Sequence, residues 1–261
     1  MVAFLLFLGF LSTAFSAGPN IPCMMFNCAS QSAKCFANSD CRALMMCLTK
    51  CGQTNQTCMF DCIYSYENDI FDDFMKCAST EHNCIELAPP DPPVVCKKPT
   101  QVVQNFSLDM MEGSWYIVKG LNPIYDCFDC QITRFYKGDS QSMLKVNEKF
   151  EIHTVMGTTI TRYVNESVTQ PDPKACGIIK YSSNQMGHNT ISEWRVLDRG
   201  QNGEYLFMYY CGSIAANYFY EGSVVYSKNA QLSPEAWTNI QKVGMGQGLK
   251  MNNFCSPKAG C

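Results

Sequence analysis

Charge is scarce in this chain. Asp, Glu, Lys and Arg make up 16% of the residues, and there are three histidines. That charged fraction is low for a cytosolic protein and ordinary for a secreted one. The formal net charge is -3, and lysines and arginines are scattered rather than clustered. Nothing electrostatic therefore points to nucleic acid or to an anionic membrane. A phosphate-cradling Gly-rich loop, a nucleophile elbow and a metal-ligand constellation are all missing. Their absence leaves nucleotide hydrolysis, a serine-type hydrolase and a metal centre without support, and no metal is expected. The apolar run Val2 to Leu11 is too short to span a bilayer stably, and no second run approaches membrane length. Small residues follow it from Ser12 to Ala17. Residues 1–17 thus read as a secretory signal cut after Ala17, and the expected destination is the secretory route.

Cysteine is what the chain has in excess. There are 17, and ten fall in one block from Cys23 to Cys84. No CxxC occurs in that block and no histidine lies between Cys23 and Cys77, which argues against a zinc module. Residues four apart share a helix face. Cys47-x3-Cys51 and Cys58-x3-Cys62 flank the short turn Gly52 to Thr57, so an antiparallel helix pair would join Cys47 to Cys62 and Cys51 to Cys58. The same nesting predicts Cys23 with Cys41 around Cys28 with Cys35, and Cys77 with Cys84. A disulfide-rich α-helical domain over 18–87 is expected, in an oxidising compartment.

Four prolines crowd Pro89 to Pro93, inside a segment 88–101 that reads as a stiff extended linker. The chain then changes character. Alternating, strand-like runs occupy Ser114–Lys119, Cys130–Tyr136, Leu144–Ile152, Thr158–Val164, Ile178–Tyr181, Thr190–Leu197, Tyr205–Cys211 and Gly222–Tyr226. A helical pattern follows from Pro234 to Val243, with Ser233 as its expected N-cap. The fold expected for 102–261 is mainly β: an eight-stranded antiparallel up-and-down barrel with a C-terminal helix. Aromatic residues at 12% suit a lined cavity within it.

The barrel begins Gly113-Ser114-Trp115-Tyr116-Ile117. Gly-x-Trp on a first strand resembles the lipocalin signature, in which the tryptophan closes the barrel's base. The longer run GSWYIVKGLNPIYDCFDCQ, Gly113 to Gln131, with VVQNFSL before it, resembles the violaxanthin de-epoxidase family. The likeness extends to the ten-cysteine block, to EYLFMYYCG from Glu204 to Gly212 and to GSVVY from Gly222 to Tyr226. It implies a lipocalin-like barrel behind a cysteine-rich helical domain. It also implies reductive removal of an epoxide oxygen from a xanthophyll end ring, with ascorbate as cosubstrate, in a plastid thylakoid lumen. The ligand implied is a carotenoid or xanthophyll; a lipid membrane surface and a second copy of the chain are further candidate partners. Opening an epoxide requires a proton at the leaving oxygen, hence a carboxylic acid or phenol in an apolar site.

The resemblance carries over residue by residue. Ser192-Glu193 stands where the family has paired aspartates before its central tryptophan, here Trp194. Ser192 therefore replaces the residue credited as the acid. Strand alternation puts Ser192 and Trp194 on one face and Glu193 on the other, so Glu193 substitutes only if it reaches the same cavity. Tyr210 matches the second catalytic residue and Tyr226 a cavity tyrosine; the alternative for each is a phenol packed in the barrel. Asp126, Asp129 and Gln131 match the motif near the barrel mouth, where the aspartates alternatively cap a turn. Thr133 and Tyr136 occupy the family's two histidine positions. Any acid response then rests on Asp126, Asp129 and Glu193, which predicts a shallow pH profile and little change of oligomeric state between pH 7 and pH 5. The resemblance further implies a Cys130–Cys255 disulfide, leaving Cys96, Cys127, Cys176, Cys211 and Cys261 unassigned. The competing function is that of an altered relative that isomerises an epoxy-carotenoid or only carries an apolar ligand.

Overall fold

The computed structural model describes residues 19–51, 55–90, 92–140, 142–172, 177–215 and 218–261. The expected signal segment and Cys176 lie outside them.

Asparagine starts most of the helices. Asn20 caps α1 (Ile21–Asn27), Asn38 caps α3 (Ser39–Leu48), Asn55 caps α4 (Gln56–Tyr66) and Asn68 caps α5 (Asp69–Met75). Each side-chain oxygen accepts from backbone N–H groups of the first turn, a contact typically worth ~1 kcal/mol over alanine. α2 (Ala29–Ala37) follows α1 directly, and a π-helical turn, Lys76–Glu81, extends α5.

Cys47–Cys62 and Cys51–Cys58 staple α3 to α4 across the short turn, as the spacing predicts. The other three pairs differ. Cys23 joins Cys84 and Cys28 joins Cys77, so Cys23–Cys41, Cys28–Cys35 and Cys77–Cys84 do not form. Cys35 instead pairs with Cys41. The cause is where α1 goes. It packs against the π-helical turn at the end of the domain as well as against α2, so Cys23 and Cys28 meet the last two cysteines in the block. The turn at Asn38 then brings Cys35 and Cys41 to a Cα separation of 5.2 Å, within disulfide reach.

Eight antiparallel strands close into a barrel in sequence order: β1 Gly113–Gly120, β2 Asp129–Lys137, β3 Met143–His153, β4 Thr159–Thr169, β5 Ile178–Gln185, β6 His188–Arg199, β7 Tyr205–Ala215 and β8 Tyr218–Ser227. β1 pairs with β8, so no edge is left open. The C-terminal helix α6, Pro234–Gly246, is capped by Ser233, whose Oγ accepts from the Ala236 N–H at 3.1 Å. Trp115 plugs the closed end, 1% exposed. Its Nε1 donates to the Met111 carbonyl at 2.6 Å, and the Lys228 ammonium sits 3.6 Å from its ring centroid.

The helical domain covers the other end. Arg162 of β4 donates through Nε to the Tyr64 carbonyl and through Nη1 to the Glu67 carbonyl, gripping the C-terminus of α4. Thr80 Oγ1 donates to the Gly187 carbonyl at 2.9 Å. Met186, Tyr218 and Tyr125 of the barrel pack into the core of the helical domain with Phe60, Phe71 and Met75. The linker runs along the barrel wall: Cys96 is bonded to Cys211, Lys98 pairs with Glu193, and Arg195 Nη1 donates to the Pro99 carbonyl.

Two more disulfides fasten the C-terminal segment, and they correct the expected Cys130–Cys255 pair. Cys255 bridges to Gly120 at the end of β1, which sets it beside Cys127, its actual partner. Cys130 donates its N–H to the Lys258 carbonyl, further along, and bonds Cys261.

Candidate functional site

A cavity of about 110 Å³ lies inside the barrel beneath the helical domain. An apolar cavity of ~150 Å³ accommodates a benzene ring, so the scale is that of one ring rather than a polyene. Its walls are the inward positions of the strands. β6 contributes Thr190, Ser192 and Trp194, β7 contributes Tyr210, and β8 contributes Tyr220, Val224 and Tyr226. Four sequence-selected residues, Ser192, Trp194, Tyr210 and Tyr226, therefore meet in one space. Trp194 stacks between Tyr181 at 4.2 Å and Tyr210 at 4.7 Å. Its Nε1 donates to Ser192 Oγ at 2.7 Å.

Asp126 is the carboxyl beside the stack. It is 2% exposed; Oδ1 accepts from the Tyr210 hydroxyl at 2.7 Å and Oδ2 from the Asn122 N–H at 2.8 Å. Burial pushes its pKa up to about 7, against the opposing pull of those two hydrogen bonds. The Tyr210 phenol is raised well above its ordinary value by burial and by the adjacent Asp126. Gly222 faces Tyr210 in the β7–β8 register. A Cβ there would lie 2.2 Å from Tyr210 Oη and 2.8 Å from Asp126 Oδ2, so glycine makes room for the pair.

Glu193 and Asp129 do not reach the cavity. Glu193 is on the outer face, where Arg195 and Lys98 bind it. Partial burial pushes its carboxyl up, but those two partners outweigh it and hold the pKa below the usual value. Asp129 is turned out by a bulge in β2, where Cys130 takes φ 57° and the register shifts between Asp129 and Ile132. It accepts from the Lys258 N–H at 2.9 Å and lies 3.8 Å from His153. The same bulge turns Gln131 inward, where its Nε2 donates to Glu148 Oε1 at 2.9 Å. Thr133 is fully buried and Tyr136 is exposed.

Several cavity residues were not singled out from sequence. Glu148 on β3 and Glu166 on β4 line it, with pKa values pushed up by burial to about 7 and about 8. The signal was present: Glu148 falls in the inward series Leu144, Val146, Phe150, Ile152, and Glu166 in step with Val164 and Val168. Tyr125 and Phe128, on the β1–β2 loop, and Tyr64, from α4, complete the wall. Tyr64 makes edge contacts with Phe128 at 5.0 Å and Phe150 at 6.1 Å. No strand pattern points to a residue contributed by another domain.

By class, this is a lipocalin-like barrel capped by a disulfide-rich helical domain, with an aromatic, acid-bearing cavity between its two ends. Residues 20–259 match the family model described as the VDE lipocalin domain. The chain belongs to the violaxanthin de-epoxidase family. It is 31% identical over 255 residues to "Violaxanthin de-epoxidase, chloroplastic" of Arabidopsis thaliana, covering 90% of this chain and 53% of that one. It is 32% identical over 247 residues to the Nicotiana tabacum protein of the same name, covering 90% and 51%. The chain thus spans about half the length of the curated relatives it matches. Among solved structures, lobster apocrustacyanin A1 aligns at 15% identity with a TM-score of 0.43, over 62% of this chain and 93% of that one.

Proposed function

We propose that the barrel binds the end ring of an epoxy-xanthophyll and removes its epoxide oxygen reductively, with ascorbate as cosubstrate. The observation that carries this reading is the Asp126–Tyr210 hydrogen bond beside the Tyr181–Trp194–Tyr210 stack. When Asp126 is protonated, its hydrogen bond with Tyr210 reverses: Asp126 donates to the phenol oxygen, the Tyr210 proton passes to the epoxide oxygen, and one of the ascorbate protons restores Asp126. Ascorbic acid gives up two electrons and two protons, becoming dehydroascorbate; the epoxide oxygen leaves as water and a carbon–carbon double bond remains. Asp126 thereby takes the acid role that Ser192 cannot fill. A pKa of about 7 keeps Asp126 protonated in mildly acidic surroundings. The polyene leaves the cavity between Tyr64, Tyr125 and Phe128, whose rings must part to admit the ring. An oxidising lumen on the secretory route is the proposed compartment, the thylakoid lumen if the partner pigment is plastidic. The test is incubation of the oxidised protein with violaxanthin and ascorbate, followed by chromatography and mass analysis. Loss of oxygen mass that depends on ascorbate supports the reading.

The Trp194–Ser192 hydrogen bond favours a second reading, because no acid stands at the Ser192 position. In it the barrel isomerises an epoxy-carotenoid or carries it unchanged. A product of unchanged mass, or bound pigment with no product, decides for it.

A further inference from the structure

Glu148 and Glu166 have no part in the proton route from Asp126 through Tyr210. Glu148 pairs with Val164 and Glu166 with Val146 in the β3–β4 register, so the two glutamates are diagonal neighbours on the inner wall, roughly 7–8 Å apart at the backbone. Neutral amides hold both. Gln131 donates to Glu148 Oε1 at 2.9 Å and Gln185 to Glu166 Oε1 at 3.3 Å. With Asp126 they bring three carboxyls into the cavity, and no lysine, arginine or histidine is among its described lining residues. Buried carboxyls that ionise are ordinarily matched by a cation. On its outer wall this chain follows that rule, with Arg195 and Lys98 on Glu193.

A second observation points to a ligand. Tyr181 lines the same wall and is 3% exposed; its hydroxyl makes no close hydrogen bond among the described residues, and the Tyr226 phenol interacts with it only from further off. A metal ion is the poorer occupant: the three cavity carboxyls are not among the described groups whose ligand atoms converge within 4.8 Å. A cation that spreads several N–H donors from a compact apolar body suits separated carboxyls and aromatic walls.

We propose that the cavity is a binding site for a small organic ammonium, a primary amine on a body of about one ring. Its N–H groups donate to Glu148, Glu166 and the Tyr181 hydroxyl oxygen, and its body lies against the Tyr181–Trp194–Tyr210 stack. This ligand competes with the epoxide ring for the same space, and the two require opposite charge states. Burial pushes Asp126 and Glu148 up to about 7 and Glu166 up to about 8. The phenols facing them are Tyr64 from α4, Tyr125 from the loop, Tyr181 from β5, Tyr210 from β7, and Tyr220 and Tyr226 from β8. All are raised above their ordinary value and stay neutral. The cavity is therefore uncharged in acid and anionic in mild alkali, where a primary amine is still protonated.

The experiment is calorimetric titration of the full oxidised chain with phenethylammonium at about pH 6 and about pH 8.5, with 2-phenylethanol as the neutral control. Binding should be at least about tenfold tighter at the higher pH. The alcohol should show no such gain, and E148Q/E166Q should lose it. Should the double variant fail to fold by near-ultraviolet circular dichroism, E166Q alone reads the same effect. No ammonium binding at either pH, equal binding of the alcohol, or a glutamine variant that binds like the parent overturns the proposal. The violaxanthin assay reads the epoxide reaction separately. De-epoxidation without ammonium binding sinks this proposal alone, and ammonium binding without de-epoxidation sinks only the other.

Discussion

Asp126 is where a one-residue change separates chemistry from fold. Its carboxyl is protonated below its pKa of about 7 and loses the proton as pH rises through that value. Asp126→Asn should cut epoxide turnover by roughly 10²–10³-fold, within the range typical of a lost general acid. It should also remove the rise in rate that the parent shows as pH falls through 7; steady-state kinetics across pH reads both. A variant retaining full rate and profile would move the acid elsewhere. Some of this geometry was legible. Period-two alternation placed Ser192 and Trp194 together and Glu193 outside. Asp129, matched to the barrel mouth by the resemblance, lies outside the cavity because one residue with φ 57°, Cys130, shifts the strand's phase. Nothing in the residue type at 130 announces a bulge.

At the scale of elements, the turn between β5 and β6 sits in the domain contact. Gly187 adopts φ 72°, and a Cβ there would lie 2.3 Å from the Asp72 carbonyl and 2.4 Å from the Lys76 N–H. All these atoms are backbone, so no side chain can swing aside. Gly187→Ala should destabilise the chain by about 1–3 kcal/mol through left-handed strain, with the clash adding to it. Denaturant unfolding measures the loss, and an unchanged midpoint would show that the two domains do not depend on this contact. The α3–α4 hairpin was readable from cysteine spacing because both pairs span one short turn. The Cys23–Cys84 and Cys28–Cys77 bonds were not, since they join helices that meet only after α3, α4 and α5 have folded back.

Across the whole molecule, buried acids set the pH dependence of stability. Asp72 at the domain contact is pushed up to about 7 by burial and by Glu67, and Asp126, Glu148 and Glu166 are raised to about 7, 7 and 8. Groups whose folded pKa lies above the unfolded value bind more protons when folded. Their stabilising contribution is complete below the unfolded pKa, near 4, and declines as pH rises through 7 to 8. Thermal unfolding should therefore come several degrees higher at pH 5 than at pH 8. A midpoint that climbs with pH over that interval would show that these carboxyls are solvated in solution.

Sequence alone determined the architecture. Strand alternation, the Ser233 cap, the cysteine block and the Gly-x-Trp start are local patterns, and a barrel that closes in sequence order needs little beyond them. It also determined that Ser192 and Trp194 of β6 share a face, because a strand offers only two; Tyr210 and Tyr226 were set beside them by the family resemblance. Tertiary structure decided the rest. The folded helical domain brings Tyr64 over the barrel mouth, and the β2 bulge exchanges Asp129 for Gln131. Closure buries Asp126 and draws Glu148 and Glu166 into a partly enclosed cavity, and that loss of solvent, which no residue carries by itself, pushes their pKa values up toward neutrality.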